Sequence, residues 1–159
     1  MEPIIAPVSL ELIKAELTPN KKLRDTNKSH NEIYVINHHD SPNVMREIGR
    51  LREEAFRDSG GGSGLSMDID EFDTMENPYQ QLIVWDPDAE RILGGYRYIL
   101  GPDIKLGEDG QPLLATSHMF HFSDRWGQTA TDTLVVRHDN IQHFESVECP
   151  TVVFHQLIS

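Results

Sequence analysis

Four charged residues, Arg52, Asp70, Asp73 and Arg97, carry the most legible chemistry in this 159-residue chain. A helix is expected to start after Ser41-Pro42, since Ser is a good N-cap and Pro suits the first helical position. With its residues placed about 100° apart, Val44, Met45, Ile48, Leu51, Ala55 and Phe56 fall in one arc. Arg46, Glu47, Arg50, Glu53, Glu54 and Arg57 fall on the other side. Arg52 breaks the pattern by lying inside the apolar arc. A guanidinium directed at a core cannot shed its proton, so it needs a carboxylate partner. The nearest acidic run is Asp68-Ile-Asp-Glu-Phe-Asp73, reached by folding back through Ser59-Gly-Gly-Gly-Ser-Gly64. Asp70 and Asp73 are the natural candidates. Two readings stay open: a buried ion pair that pins the loop onto the helix, or a constellation lining a pocket whose carboxylates hold a cationic amine.

Arg97 repeats the anomaly on a strand. In Arg91-Ile-Leu-Gly-Gly-Tyr-Arg-Tyr-Ile-Leu100, simple alternation puts Leu93, Gly95, Arg97 and Ile99 on one face. Ile92, Gly94, Tyr96, Tyr98 and Leu100 take the other. Neither face is polar, which points to cover on both and a semi-buried Arg97. The Gly94-Gly95 pair marks a bulge or the close approach of another group.

The elements that must position these residues begin with a short helix over Ser9–Leu17, capped by Ser9 and ended by Thr18-Pro19. Its Leu10, Ile13 and Leu17 share one face, which either packs on the core or docks to a membrane or carrier protein. Asn20–Asn31, with Lys21, Lys22, Arg24 and Lys28, reads as a solvated linker, an anionic partner being the alternative. Strands are expected over Glu32–Asn37, Gln80–Asp86 and Arg91–Leu100, the last two as a hairpin. The helix after Ser41 should reach Phe56 or Arg57. Thr116–Phe122 reads as a further short strand or a helix entry, and Thr131–Val136 and Thr151–Ile158 are further strand candidates. The order implies a mixed α/β (α+β) domain with a mostly antiparallel sheet.

The remaining motifs are weaker. Gly60–Gly64 lacks the Lys-Ser/Thr ending and the following helix of a phosphate loop. His118-x-x-His121 has no adjoining Cys or carboxylate cluster, and no metal site is assigned. His38-His39-Asp40 reads as a polar strand end, and Cys149 as a packing residue. No Ser-His-Asp triad is marked.

Composition narrows the classes. Hydrophobic residues make up 38% of the chain, enough for one modest core. A net charge of −12, from 26 acids and 14 bases, argues against a nucleic-acid partner. A single Cys fits a reducing compartment. No stretch is long and apolar enough for a membrane span, and the first residues do not read as a signal peptide, so a cytoplasmic protein is expected.

The ordered set Arg52-x-x-x-Phe56, Asp70-x-x-Asp73 and Gly94-Gly-Tyr-Arg97 resembles the GNAT-like, acyl-carrier-protein-dependent N-acyltransferases. That group includes the ornithine-lipid and glycine-lipid synthases, often catalogued as hemolysins. Met45–Arg52, Asp68–Asp73, Leu82-Ile-Val and Leu93–Arg97 look most like this amino-acid lipid branch. The acyl-homoserine-lactone synthases share a similar pattern, but the stretch between Phe56 and Asp70 lacks their usual Trp.

The resemblance implies a GNAT-like half-fold and transfer of a fatty or 3-hydroxyfatty acyl group from acyl carrier protein to an amino acid's α-amine. It implies no bound cofactor, with acyl-ACP or acyl-CoA as co-substrate. Acyl carrier protein, an amino acid and a peripheral contact with the inner membrane face are the implied partners. Asp70, Asp73 and Arg97 would form the catalytic set, the aspartates acting on the amine or ordering the pocket loop. Arg52 and Phe56 would bind substrate. The resemblance covers residues 1–124. Residues 125–159 contain no Glu-Leu-Gly-Arg, the family's next motif, and read as a divergent tail of the kind a truncation or frame shift leaves. A catalytically incomplete remnant or binding module is therefore the standing alternative.

Overall fold

The computed structural model describes residues 1–27, 29–117 and 134–137. Its strands are β1 (Lys22–Asp25), β2 (Glu32–Ile36), β3 (Gln80–Asp86), β4 (Arg91–Leu100) and β5 (Leu134–Arg137). They form one sheet in chain order, with every neighbouring pair antiparallel. The helices are α1 (Leu10–Glu16), α2 (Pro42–Asp58) and the single-turn α3 (Glu71–Thr74). This is a mixed α/β fold with an antiparallel sheet, consistent with one half of a GNAT-like fold. β5 overlaps the strand expected over Thr131–Val136. His118–Phe122, Cys149 and Thr151–Ile158 lie outside the described residues. Among the described residues no helix is long and apolar enough to cross a membrane.

The main core joins Ile13 and Leu17 to Val44, Met45 and Ile48 of α2, over Ile36, Ile83, Trp85 and Ile92 of the sheet. The apolar face of α1 is thus occupied by the core and is not a docking surface. A smaller cluster gathers Phe72, Tyr79, Ile99, Leu114 and Ala115.

Several local expectations need correction. Neither Ser9 nor Ser41 caps its helix through its side chain. Ser41 Oγ instead donates to Asp40 Oδ1 at 2.7 Å and accepts from Lys21 Nζ at 2.8 Å. The free amides at the start of α2 are met by Glu16, whose carboxylate accepts from Asn43 N at 2.9 Å and Val44 N at 2.8 Å. A carboxylate there satisfies orphan donors and complements the positive end of the helix dipole. Asn20–Asn31 is not a linker, because it holds a 3₁₀ turn at Pro19–Lys21 and then β1. Lys22 pairs with Asp25 at 2.7 Å and Glu32 at 2.6 Å, so its charge is turned onto the chain itself.

The glycine pair in β4 does mark an irregularity. Register passes from Val84↔Gly94 to Trp85↔Ile92, leaving Leu93 as the extra residue. Such a bulge reverses the alternation, so Ile92 shares the face of Gly95 and Arg97 rather than opposing it. Gly95 is required by close approach: a Cβ there would stand 2.7 Å from the Leu82 carbonyl oxygen.

Candidate active site

Three elements bring the charged residues together. α2 carries Arg52 inward, 3% exposed. The returning chain lies across α2 at Gly49, where Asp68 N donates to the Gly49 carbonyl at 2.9 Å. A side chain at Gly49 would collide with Ile69, its Cβ falling 2.6 Å from Cγ1. α3 then begins with a reciprocal cap. Asp70 Oδ1 accepts from Phe72 N at 3.0 Å and Asp73 N at 3.2 Å, while Asp73 Oδ2 accepts from Asp70 N at 3.2 Å. The Asp-x-x-Asp spacing therefore builds the turn that aims both carboxylates. β4 supplies Arg97 from the sheet, and β3 supplies Gln81 directly opposite it in register.

The result is one continuous ionic network. Arg52 Nη1 meets Asp73 Oδ2 at 2.9 Å, and Arg52 Nε meets Asp68 Oδ2 at 3.2 Å. Arg97 Nη1 lies 2.9 Å from Asp70 Oδ2 and 3.1 Å from Asp73 Oδ1. Gln81 Nε2 donates to Asp73 Oδ1 at 3.1 Å. The Arg97 guanidinium also stacks over the Tyr79 ring, 5.3 Å from its centroid. Of the two partners expected for Arg52, Asp73 is found. Asp70 belongs to Arg97, and Asp68 takes its place. Arg97 is fully rather than partly buried, at 1% exposure.

Burial divides the roles. Asp73 is completely enclosed, with Arg52, Arg97 and Gln81 around its carboxylate. The side chains of Asp68 and Asp70 keep 20% and 31% exposure and form the open side. Among the described residues, three carboxylates meet two guanidiniums there. Burial pushes the Asp70 carboxyl up, but the charge and hydrogen bond of Arg97 and the charge of Arg52 outweigh it, holding the group below its ordinary range. Asp70 is thus ionised at neutral pH and suited to a cation. Phe56 is half-buried one turn beyond Arg52.

Three members of the site, Asp68, Gln81 and Tyr79, and one buried neighbour outside the network, Glu53, are not marked by any local sequence pattern. Asp68 belongs to the same acidic run but carried no separate signal. Gln81 was hidden because register, not composition, sets it opposite Arg97. Tyr79 sits just before β3 and donates no pattern. Glu53, assigned to the solvent side of α2, is fully buried against the glycine-rich loop. Its carboxylate takes the amides of Ser63 and Gly64, so that loop's donors face the protein's own acid.

Comparison with known proteins adds three findings. Residues 113–159 match the model of a family of unknown function, DUF6452. The chain is 72% identical over 124 residues to a glycine N(alpha)-acyltransferase of Bacteroides thetaiotaomicron, covering 78% of this chain and 37% of that protein. A glycine N(alpha)-acyltransferase of Phocaeicola vulgatus is 68% identical over the same length, with 78% and 38% covered. The chain therefore spans less than two fifths of the length of these curated relatives. No solved structure matches.

Proposed function

We propose that this chain supplies the amine-binding part of an N-acyltransferase that moves a fatty or 3-hydroxyfatty acyl group from acyl carrier protein to an amino acid, with glycine the first acceptor to test. The observation that carries the reading is the network of Arg52, Asp68, Asp70, Asp73 and Arg97, open to solvent at the Asp70 carboxylate. The likeness to glycine N(alpha)-acyltransferases gives it a reaction class. In that reaction the amine nitrogen attacks the thioester carbonyl, the C–N bond forms, the C–S bond breaks and the carrier thiol leaves. The ammonium form must first lose a proton. Asp70 is too weak a base to take it at neutral pH, so its role is to attract and orient the amine, with solvent receiving the proton. Asp73 and the two arginines hold Asp70 and Asp68 in place. Phe56 lines the substrate side.

The likeness to the acyltransferases over 124 residues, and a different family's match from residue 113 onward, support reading an acyltransferase part followed by a distinct tail; residues 1–124 and 125–159 are the division the motifs suggest. A peripheral contact with the inner membrane face from the cytoplasm belongs to the same reading, since the product is a lipid. A module that binds without turnover is the second reading, since the open carboxylates of Asp68 and Asp70 can hold an amine with no acyl donor present.

The test is acyl transfer by the purified chain, given 3-hydroxyacyl carrier protein with glycine, serine, ornithine or lysine, and read by mass spectrometry. An N-acyl product made by wild type and lost in Asp70→Asn supports the enzyme. No product from a chain shown to be folded overturns it for this polypeptide and favours the binding module.

A further inference from the structure

Glu53 is a fully buried carboxylate that the ionic network does not use. It follows Arg52 directly on α2 and points to the glycine-rich loop. Its Oε1 accepts from Arg57 Nε at 2.7 Å and Gly64 N at 2.9 Å. Its Oε2 accepts from Ser63 N at 2.9 Å and Ser63 Oγ at 2.8 Å. Four donors on two oxygens leave no place for a proton. The loop is shaped around this acid. Gly62 has φ +97°, and a Cβ there would stand 3.1 Å from Glu53 Oε1. Four residues after Gly64 the chain is fastened again, by Asp68 N on the Gly49 carbonyl. Asp68 and Asp70 reach the arginines immediately beyond that point.

We infer that Glu53 is a positioning residue for the site: by clamping Ser63 and Gly64 it fixes the start of the span that delivers Asp68 to Arg52 and Asp70 to Arg97. The consequence for acyl transfer rests on the proposed function, whereas the clamp itself does not. A second fastening competes with it, since Glu2 N donates to the Gly64 carbonyl at 2.8 Å and Ile5 N to the Ser66 carbonyl at 3.0 Å.

The experiment compares the full chain with its Glu53→Gln variant by NMR. The variant keeps the shape but turns an amide NH₂ toward a pair of donors. Amide exchange over residues 63–70 is expected to rise roughly tenfold or more, while Ile36 and Ile83 in the sheet stay protected. The Nε–H signals of Arg52 and Arg97 should shift or broaden, which loosening of the loop alone would not cause. Ser63→Ala removes one donor, keeps the acid and should give a smaller change of the same kind. Unchanged arginine signals in Glu53→Gln overturn the inference, whether or not the loop loosens. If that variant does not fold, unchanged exchange and arginine signals in Ser63→Ala overturn it instead. None of these readouts needs acyl transfer, so an inactive chain and an idle clamp are told apart.

Discussion

Arg97 Nη1 stands 3.1 Å from Asp73 Oδ1, joining the middle of β4 to the single turn of α3 across 24 residues of sequence. The same nitrogen reaches Asp70 Oδ2 at 2.9 Å, so one guanidinium holds both ends of the Asp-x-x-Asp turn. The pair differs in access. Asp73 is sealed, and Asp70 opens outward. A single motif thus supplies a structural acid and an available one.

That arrangement sets the order of damage on substitution. Asp73 accepts from Arg52, Arg97, Gln81 and the Asp70 amide. Asp73→Ala removes all four acceptor contacts and takes one carboxylate from each of two buried guanidiniums, which keep Asp68 and Asp70, so the cost should approach but not exceed about 3–5 kcal/mol. Arg52→Met should cost less, because Asp73 keeps Arg97 and Gln81 and the thioether chain fills the apolar arc of α2. Urea denaturation of the two variants checks the ranking. Equal, near-zero changes would remove the buried network from the account.

Glu53 makes stability depend on acid. Burial pushes its carboxyl up, but donors from Arg57, Ser63 and Gly64 outweigh that, lowering it from 4.5 to about 2. The folded value lies below the unfolded one, so the stabilisation is complete above about pH 4.5 and is lost as pH falls toward 2. A difference of that size corresponds to at most about 3 kcal/mol. Asp70, also lowered, contributes with the same sign. The stability gap between wild type and Glu53→Gln should be wide at pH 7 and narrow near pH 3. A gap that does not change with pH would show that the charge on Glu53 contributes nothing.

The residues legible in the sequence were those that violate a local pattern. Arg52 in an apolar arc and Arg97 on an apolar strand both announced a buried ion pair, and Gly94-Gly95 announced the bulge. The residues missed obey local patterns and acquire their roles from distant chain. Glu53 and Glu47 look solvent-facing on a helical wheel, yet the loop at Ser63 and Gly64 covers the first, and Val8 N donates to the second at 2.9 Å. Gln81 depends on strand register, and the face of Ile92 on the bulge. The antiparallel hairpin and α2 were fixed by periodicity, whereas β1 lay in a stretch too polar to show one.

The two crowded glycines give contrasting tests of packing. At Gly95 an added methyl would meet a backbone carbonyl, Leu82 O, at 2.7 Å. The sheet cannot yield there without losing a ladder bond. Gly95→Ala should therefore cost about 1–3 kcal/mol and lower Tm. At Gly49 it would meet Ile69 Cγ1 at 2.6 Å and the Asp68 carbonyl oxygen at 3.3 Å, both on a loop segment that can back away from α2 more readily than a strand can leave its sheet. Gly49→Ala should lose less stability and instead displace Asp68, weakening its approach to Arg52. Calorimetry on both variants, with NMR of the Arg52 Nε–H, separates the two outcomes. A larger loss at Gly49 would mean that Ile69 is held rigidly and that the segment from Asp68 to Asp70 is stiffer than its contacts suggest.

Glu16 gives the last test, because it caps a helix to which it does not belong. It sits in the final turn of α1 and accepts from Asn43 N, Asn43 Nδ2 and Val44 N at the start of α2. Glu16→Ala leaves those amides without their acceptor and should cost about 1–2 kcal/mol, the range for losing a cap. Glu16→Gln keeps an acceptor but removes the charge that complements the helix dipole, so it should cost less. The loss should also loosen α1, since the cap is one of its ties to α2. Faster amide exchange at Ile13 and Leu17 in Glu16→Ala, with Arg52 undisturbed at the far end of α2, is the expected pattern. Normal exchange with full stability would mean that water caps α2 as well as Glu16 does.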